Sequence, residues 1–208
     1  KQTPLEEGSL RTKIEEFALT AGFKLDNIYV MDGSKRSSKA NAYFTGLGPK
    51  KRIVLFDTLI QDLEEEEIVA VLAHEVGHYK KKHTGTGFIL STIQSAITFY
   101  LFSLFVGMDS FAVALGGEEA SFHLGLIAFG ILYSPISMLI GLGTNYFSRY
   151  NEYQADRYAS EKYDGSKLVS SLKKLSKSNL SNLTPHPAYV FFHYSHPTLL
   201  QRIRAMRK

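Results

Sequence analysis

Hydrophobic positions along this chain fall into helically spaced sets, short strand-like runs and two long charge-free stretches. Within residues 6–20, Leu10, Ile14, Phe17 and Ala18 recur at helical spacing, and Gly22 closes the segment. Residues 28–31 read as a strand ending in an Asp32-Gly33 turn, residues 40–45 as a second strand and residues 53–56 as a third. An acidic start at residues 62–67 leads into the apolar run 68–73, which predicts a buried helix. Its glutamates at 64–67 read as a solvated first turn favoured by the helix dipole. Helical segments follow Asp156 as far as Lys177. A Ser/Asn/Pro-rich loop covers residues 178–187, and a short helix over 197–206 closes the chain.

Residues 84–108 and 124–148 each run for 25 positions without Asp, Glu, Lys or Arg. At ~1.5 Å per helical residue, the ~20 most apolar positions of each reach ~30 Å, enough to cross a hydrocarbon core. The competing arrangement is a buried helical hairpin in a soluble protein. Scattered Ser, Thr and Gln fit that reading, but the uncharged length favours a membrane hairpin. Lys80, Lys81 and Lys82 precede the first stretch and Arg149 and Arg157 follow the second. The linking loop carries Asp109, Glu118 and Glu119 and no Lys or Arg. The positive-inside rule then sends the loop outward and keeps both flanking segments cytosolic. Pro135 should kink the second span and free a backbone carbonyl that Ser134 or Ser137 helps satisfy.

Composition narrows the function class. A chain of 208 residues fits one domain with a substantial core. The absence of cysteine excludes disulfides and thiolate metal sites and fits a reducing compartment. Net charge is +4 with pI near 9.1, yet the basic residues are scattered or flank the apolar spans. No helix-turn-helix, RNA-binding or zinc-finger pattern accompanies them, so no nucleic-acid partner is expected. The first 16 residues are polar and charged and carry no secretory signal.

Candidate chemistry centres on His74-Glu75-Val76-Gly77-His78. Positions i and i+4 share a helix face, so both imidazoles can reach one metal ion while Glu75 flanks it. Zinc suits such donors and leaves a position open for water. Glu152 and Asp156, four apart on a second helix-like stretch, supply what is missing: Glu152 as third ligand, Asp156 as acceptor for the N–H of a ligand histidine. As a lone acidic pair they would read as solvated surface. Beside H-E-x-x-H they do not, because two histidines and a water leave one tetrahedral position to fill. His83 lies five residues beyond His78, turned away by ~140°, and is a poor ligand. His186 and His193 are read as structural.

These residues sit within ordered blocks: Ser38-Lys39-Ala40-Asn41-Ala42-Tyr43-Phe44, Arg52 to Leu59, His74 to His78 with His83, Ser148 to Asp156, and Tyr194 to Arg202. In this order they resemble the catalytic half of the type I CAAX prenyl endopeptidases, membrane zinc metalloproteases related to HtpX-type proteases. Two features depart from the family. Tyr79 stands where eukaryotic members carry Trp, pointing to a bacterial member, and the family's earlier transmembrane helices are absent, as expected of a fragment.

The element pattern predicts an α+β, mainly helical architecture with a small sheet of about three strands, and the resemblance makes its core gluzincin-like. The resemblance implies a single metalloprotease domain over 1–208, with the transmembrane hairpin at about 85–147 inserted between the zinc-ligand segments. One Zn2+ per chain would be bound by His74, His78 and Glu152, with Glu75 as general base. His196 would be an oxyanion donor and Arg202 would orient the acidic groups. Asn41, Ala42 and Tyr43 would form an edge strand that takes substrate by strand addition. The implied substrate is a peptide or protein cut near its C-terminus, lipidated in eukaryotes, where the last three residues after a prenylated cysteine are removed. HtpX-like quality control and a non-catalytic zinc-binding scaffold are the alternatives; an intact Glu75 argues against the scaffold. The expected setting is a multi-pass protein of a lipid bilayer, in the bacterial inner membrane or, from a eukaryote, the endoplasmic reticulum.

Overall fold

The computed structural model describes residues 2–22, 25–35, 41–45, 51–119 and 121–207, which form two compact units. The first comprises Lys1–Lys81, Arg149–His186 and His196–Lys208; the second comprises Lys82–Ser148 and Pro187–Ser195.

In the first unit the strand-like runs build a four-stranded mixed sheet in the order β1-β2-β4-β3. These are β1 (Gln2–Pro4), β2 (Leu25–Met31), β3 (Ala42–Thr45) and β4 (Lys51–Phe56). β2 and β4 run parallel, with Ile28 opposite Ile53; β3 lies antiparallel to β4, with Ala42 opposite Leu55. Ile53, Val54 and Leu55 are all buried, as a central strand covered on both faces requires. β1 goes beyond the three strands expected. At three exposed residues it has no periodicity to read, and its pairing with Tyr29, Val30 and Met31 defines it. Residue 40 of the second expected strand lies outside the described residues.

Against this sheet pack α1 (Ser9–Thr20), α2 (Asp57–Asp62) and α3 (Glu65–Lys80), and α7 (Gly165–Ser178) packs on α3. The core joins Ile14 and Phe17 of α1, Leu59 of α2, Leu168 of α7 and a run of α3 residues from Ile68 to Val76. Being buried nearly all round makes α3 the central helix. Its first turn departs from the solvated reading. Glu65 and Glu66 pair with Lys13, but Glu67 is buried. Its Oε1 accepts from Ser170 Oγ at 2.6 Å and its Oε2 from Lys174 Nζ at 2.8 Å. Oε2 also accepts from the Glu64 backbone N–H, completing a capping box. No sequence pattern announces partners more than 100 residues away.

The second unit holds α4 (His83–Phe105), α5 (Asp109–Ala114), most of the apolar part of α6 (Phe122–Lys162), and α8 (Pro187–His193). α4 and α6 are long and apolar enough to cross a membrane. They meet through Phe102 and Phe105 against Phe129, and through a 2.6 Å hydrogen bond between the Thr98 and Tyr133 hydroxyls. Apolar side chains such as Phe88, Ile131 and Leu139 remain exposed. A soluble hairpin would bury them. Pro135 sits inside α6, and Ser134 Oγ donates at 3.0 Å to the carbonyl of Ile131, the residue four before the proline. The sequence suggested a fresh helix after the second span; instead α6 continues unbroken for 41 residues. No Gly or Pro between Ser148 and Lys162 interrupts it.

Candidate metal centre

Four segments of the first unit deliver the site. α3 presents His74, Glu75 and His78, and the C-terminal part of α6 presents Glu152 and Asp156 one turn apart. His196 precedes α9 (Leu199–Met206), which carries Arg202. A second capping box starts α9: Thr198 Oγ1 accepts from Gln201 N–H, and Gln201 Oε1 accepts from Thr198 N–H. This T-x-x-Q signature was readable from sequence and fixes where Arg202 emerges.

Among the described residues, His74, His78 and Glu152 form a group able to hold a metal ion, with ligand atoms all within 4.8 Å of one another. His74 Nε2 and His78 Nε2 stand 3.1 Å apart. Glu152 Oε1 lies 3.2 Å from His78 Nε2, and Oε2 lies 3.5 Å from His74 Nε2. Two nitrogens on a tetrahedral zinc, each at ~2.0–2.1 Å, would stand ~3.3 Å apart. The spacing fits a shared cation.

The groups behind these ligands set their state. Asp156 is almost fully buried, and His74 Nδ1 lies 2.9 Å from its Oδ1. The Nδ1 proton therefore points at the carboxylate and Nε2 keeps its lone pair for a metal. Arg202 grips Asp156 with both arms, Nε to Oδ2 at 2.8 Å and Nη2 to Oδ1 at 2.5 Å. Its Nη1 lies 3.5 Å from Glu152. The 3.4 Å approach of Arg202 Nη2 to His74 Nδ1 brings two donors together and is proximity rather than a bond. Burial pushes the Asp156 carboxyl upward, but hydrogen bonds from His74 and Arg202 win and hold it at about 2. Glu152 also settles at about 2: burial opposes ionisation, and the contacts with His78 and His74 together with the Arg202 guanidinium overcome it. Glu75 goes the other way. Burial raises its pKa above the usual carboxylate range, against the fields of His74 and His78.

His196 Nε2 lies 3.5 Å from Glu152 Oε1 while most of its side chain stays open to solvent. Ala42 and Tyr43 lie in β3, at the end of the sheet order, and Asn41 immediately precedes it. Asn41 Oδ1 accepts from the Ala42 N–H, and Tyr43 stacks edge-on to Phe56. His83 is buried on α4 and does not belong to the metal group. Sequence reasoning missed Gly77. A Cβ there would come within 3.0 Å of Ala155 Cα, so α3 and α6 cross nearly backbone to backbone. A glycine inside an otherwise strong helix was the available signal, since it costs ~1 kcal/mol relative to Ala without a packing reason.

The sequence pattern of peptidase family M48 matches residues 4–208. The chain belongs to peptidase family M48. Its M48 relatives include the CAAX prenyl protease 1 homolog of Arabidopsis thaliana, 42% identical over 99% of this chain and 49% of that protein. CAAX prenyl protease 1 of Saccharomyces cerevisiae is 41% identical over the same shares of each. The Homo sapiens homolog is 35% identical, over 100% of this chain and 52% of that protein. The crystal structure of S. mikatae Ste24p superposes with a TM-score of 0.87 at 41% identity, over 99% of this chain and 51% of that one. The M48 chain thus spans about half the length of the relatives it matches.

Proposed function

We propose that this chain is the catalytic portion of a membrane zinc endopeptidase of the CAAX prenyl protease type, with a gluzincin-like core. It would cleave a peptide or protein substrate near its C-terminus, after a lipidated cysteine. The convergence of His74, His78 and Glu152 beside Glu75 carries this reading. The names of the relatives favour it over HtpX-like quality control, and Glu75, which a metal-holding scaffold would not need, disfavours a non-catalytic role.

His74 Nε2, His78 Nε2 and Glu152 would hold one zinc ion. That ion would supply Lewis acidity at the scissile carbonyl and make water acidic enough to lose a proton near neutral pH. Glu75 accepts the proton of the attacking water and returns it to the leaving amine nitrogen; its raised pKa strengthens it as a base. His196, through Nε2, donates a hydrogen bond to the oxygen that gains charge on the carbonyl carbon. Asp156 holds the His74 Nδ1 proton, and Arg202 holds Asp156. Asn41 and the β3 residues Ala42 and Tyr43 are offered to an extended peptide.

One catalytic domain interrupted by the α4–α6 hairpin accommodates this chemistry in a multi-pass bilayer protein, with the metal site on the cytosolic side. Tyr79 favours a bacterial inner membrane, while the eukaryotic sources of the relatives favour the endoplasmic reticulum.

Metal analysis joined to cleavage of a prenylated CAAX peptide tests the proposal. Purified protein should carry one zinc per chain, and Glu75→Gln should keep the metal yet lose turnover by orders of magnitude. Stoichiometric zinc in a combined His74→Ala, His78→Ala variant would overturn the site.

A further inference from the structure

Between Lys177 and Arg202 the chain has no Asp, Glu, Lys or Arg, and four of the eight residues from Pro187 to Tyr194 are aromatic. In α8, Val190 is buried, while Tyr189, Phe191 and Phe192 are 56%, 54% and 40% exposed. Phe191 and Phe192 meet edge to face at 5.2 Å, and Tyr189 packs on His193 at 4.7 Å. The result is a contiguous aromatic face on a segment that carries no charge of its own. Such a patch on an aqueous surface marks a contact waiting to be made.

The place of α8 in its unit says which contact. Asn145 Nδ2 of α6 donates to the Phe192 carbonyl at 3.0 Å, fastening α8 to that helix. Asn145 lies 21 residues beyond Leu124, where the second apolar stretch begins. That is ~32 Å of helix, against a hydrocarbon core of ~30 Å. Its neighbour Tyr146 is 68% exposed, and Arg149 follows one turn later. The fastening point therefore falls at the depth where hydrocarbon gives way to headgroups. Tyr and Phe beside a flanking Arg are the residues that settle there, their rings in the acyl boundary and their hydroxyls in the polar layer.

We infer that α8 is a membrane-interface element whose Tyr189, Phe191 and Phe192 insert into the headgroup–acyl boundary of the phospholipid bilayer, at the end of α6 that continues to Glu152. The inference rests on the membrane placement proposed above. It makes α8 a float that fixes the depth of the second span. His196 follows it by three residues, so the oxyanion donor is spliced directly onto a segment held at the lipid surface.

The chain has no tryptophan, so a single Phe191→Trp is a unique reporter. In vesicles of phosphatidylcholine brominated close to the headgroup, it should lose most of its emission. Lipid brominated at the chain terminus should quench it weakly, and aqueous iodide scarcely at all. Ile93→Trp, near the middle of α4, is the companion and should respond mainly to the terminal bromine. Tyr189→Trp repeats the α8 measurement should the first variant express poorly. Quenching of both α8 reporters by iodide and by neither bromolipid, with Ile93→Trp still responding, would overturn the inference alone. So would a face shielded from iodide only when a prenylated peptide is added, which would assign it to substrate lipid. Failure of Ile93→Trp to respond to any bromolipid would overturn the membrane placement itself.

Discussion

Gly77 of α3 and Ala155 of α6 cross so closely that a methyl group on Gly77 would sit 3.0 Å from Ala155 Cα and 3.2 Å from its carbonyl oxygen. Tyr158 Cβ, at 3.1 Å, closes the third side. This crossing sets the distance between the two helices that carry the ligands, because His78 is one residue from Gly77 and Glu152 is three from Ala155. Backbone on the far side leaves little room to yield.

Gly77→Ala should therefore weaken the metal site even though alanine is the better helix former by ~1 kcal/mol. Moving Glu152 away from His74 and His78 should loosen metal retention and lower kcat/KM by roughly 10²-fold, the scale of an ångström's misplacement. A zinc competition assay beside the cleavage assay reads both. Unchanged affinity would mean that the helices part elsewhere.

His196 should prove to be a transition-state group and not a ligand. Its Nε2 reaches Glu152 only at 3.5 Å, on an exposed ring outside the tight ligand set. His196→Ala should leave the metal content intact and reduce kcat by roughly 10²–10³-fold, with little change in the binding of a ground-state peptide. Loss of zinc would make the residue a ligand or a structural prop; unchanged kcat would return it to a turn residue before Pro197.

Much of the site was legible because its information is local. H-E-x-x-H needs only a helix, and Glu152 and Asp156, four apart on another, acquire a role once that motif leaves a ligand position to fill. The two spans were legible for the same reason: charge-free length is a property of the segment. What escaped reading depends on chain brought from afar. β1 exists only through its partner β2. Glu67 looks like its solvated neighbours until Ser170 and Lys174 arrive. The fusion of the second span with the Glu152 helix was missed because polarity changes sharply at Arg149, and a change of solvent was read as a change of element. A helix crossing from lipid to water changes composition without ending.

Glu67 supplies a pH dependence with a definite sign. Burial alone would raise its pKa, but bonds from Lys174, Ser170 and the Glu64 backbone N–H prevail and lower it. A carboxylate with a depressed folded-state pKa stabilises the fold above its unfolded pKa, and that stability is lost as pH falls through the folded value. At neutral pH, Glu67→Gln should cost about 2 kcal/mol, the worth of a charge-assisted hydrogen bond. Thermal melts of the detergent-solubilised protein should show that gap narrowing as pH drops below ~4, where free glutamate protonates. A gap that stays constant with pH would mean the side chain acts through shape and not charge.

The orientation of the hairpin can be read from the loop after α7. Asn179-Leu180-Ser181 and Asn182-Leu183-Thr184 are both N-x-S/T sequons, and residues 179–184 are exposed. In the proposed orientation, where the charge asymmetry across the spans directs this loop to the cytosol, neither should carry a glycan in a eukaryotic host. The absence of native cysteine allows an independent reading on the same molecule. In vesicles sealed with the cytosolic face outward, Ser181→Cys should react at once with an impermeant maleimide. Ser110→Cys, in the acidic loop between the spans, should react only after detergent opens the membrane. Glycans on Asn179 or Asn182, or the reverse order of labelling, would place the metal site on the far side of the membrane. The lysines at 80–82 would then lie on the outer face, against the rule that motivates the prediction. Equal labelling of both positions in sealed vesicles would show that the hairpin does not span the bilayer, and the exposed faces of α4 and α6 would then have to be covered by protein.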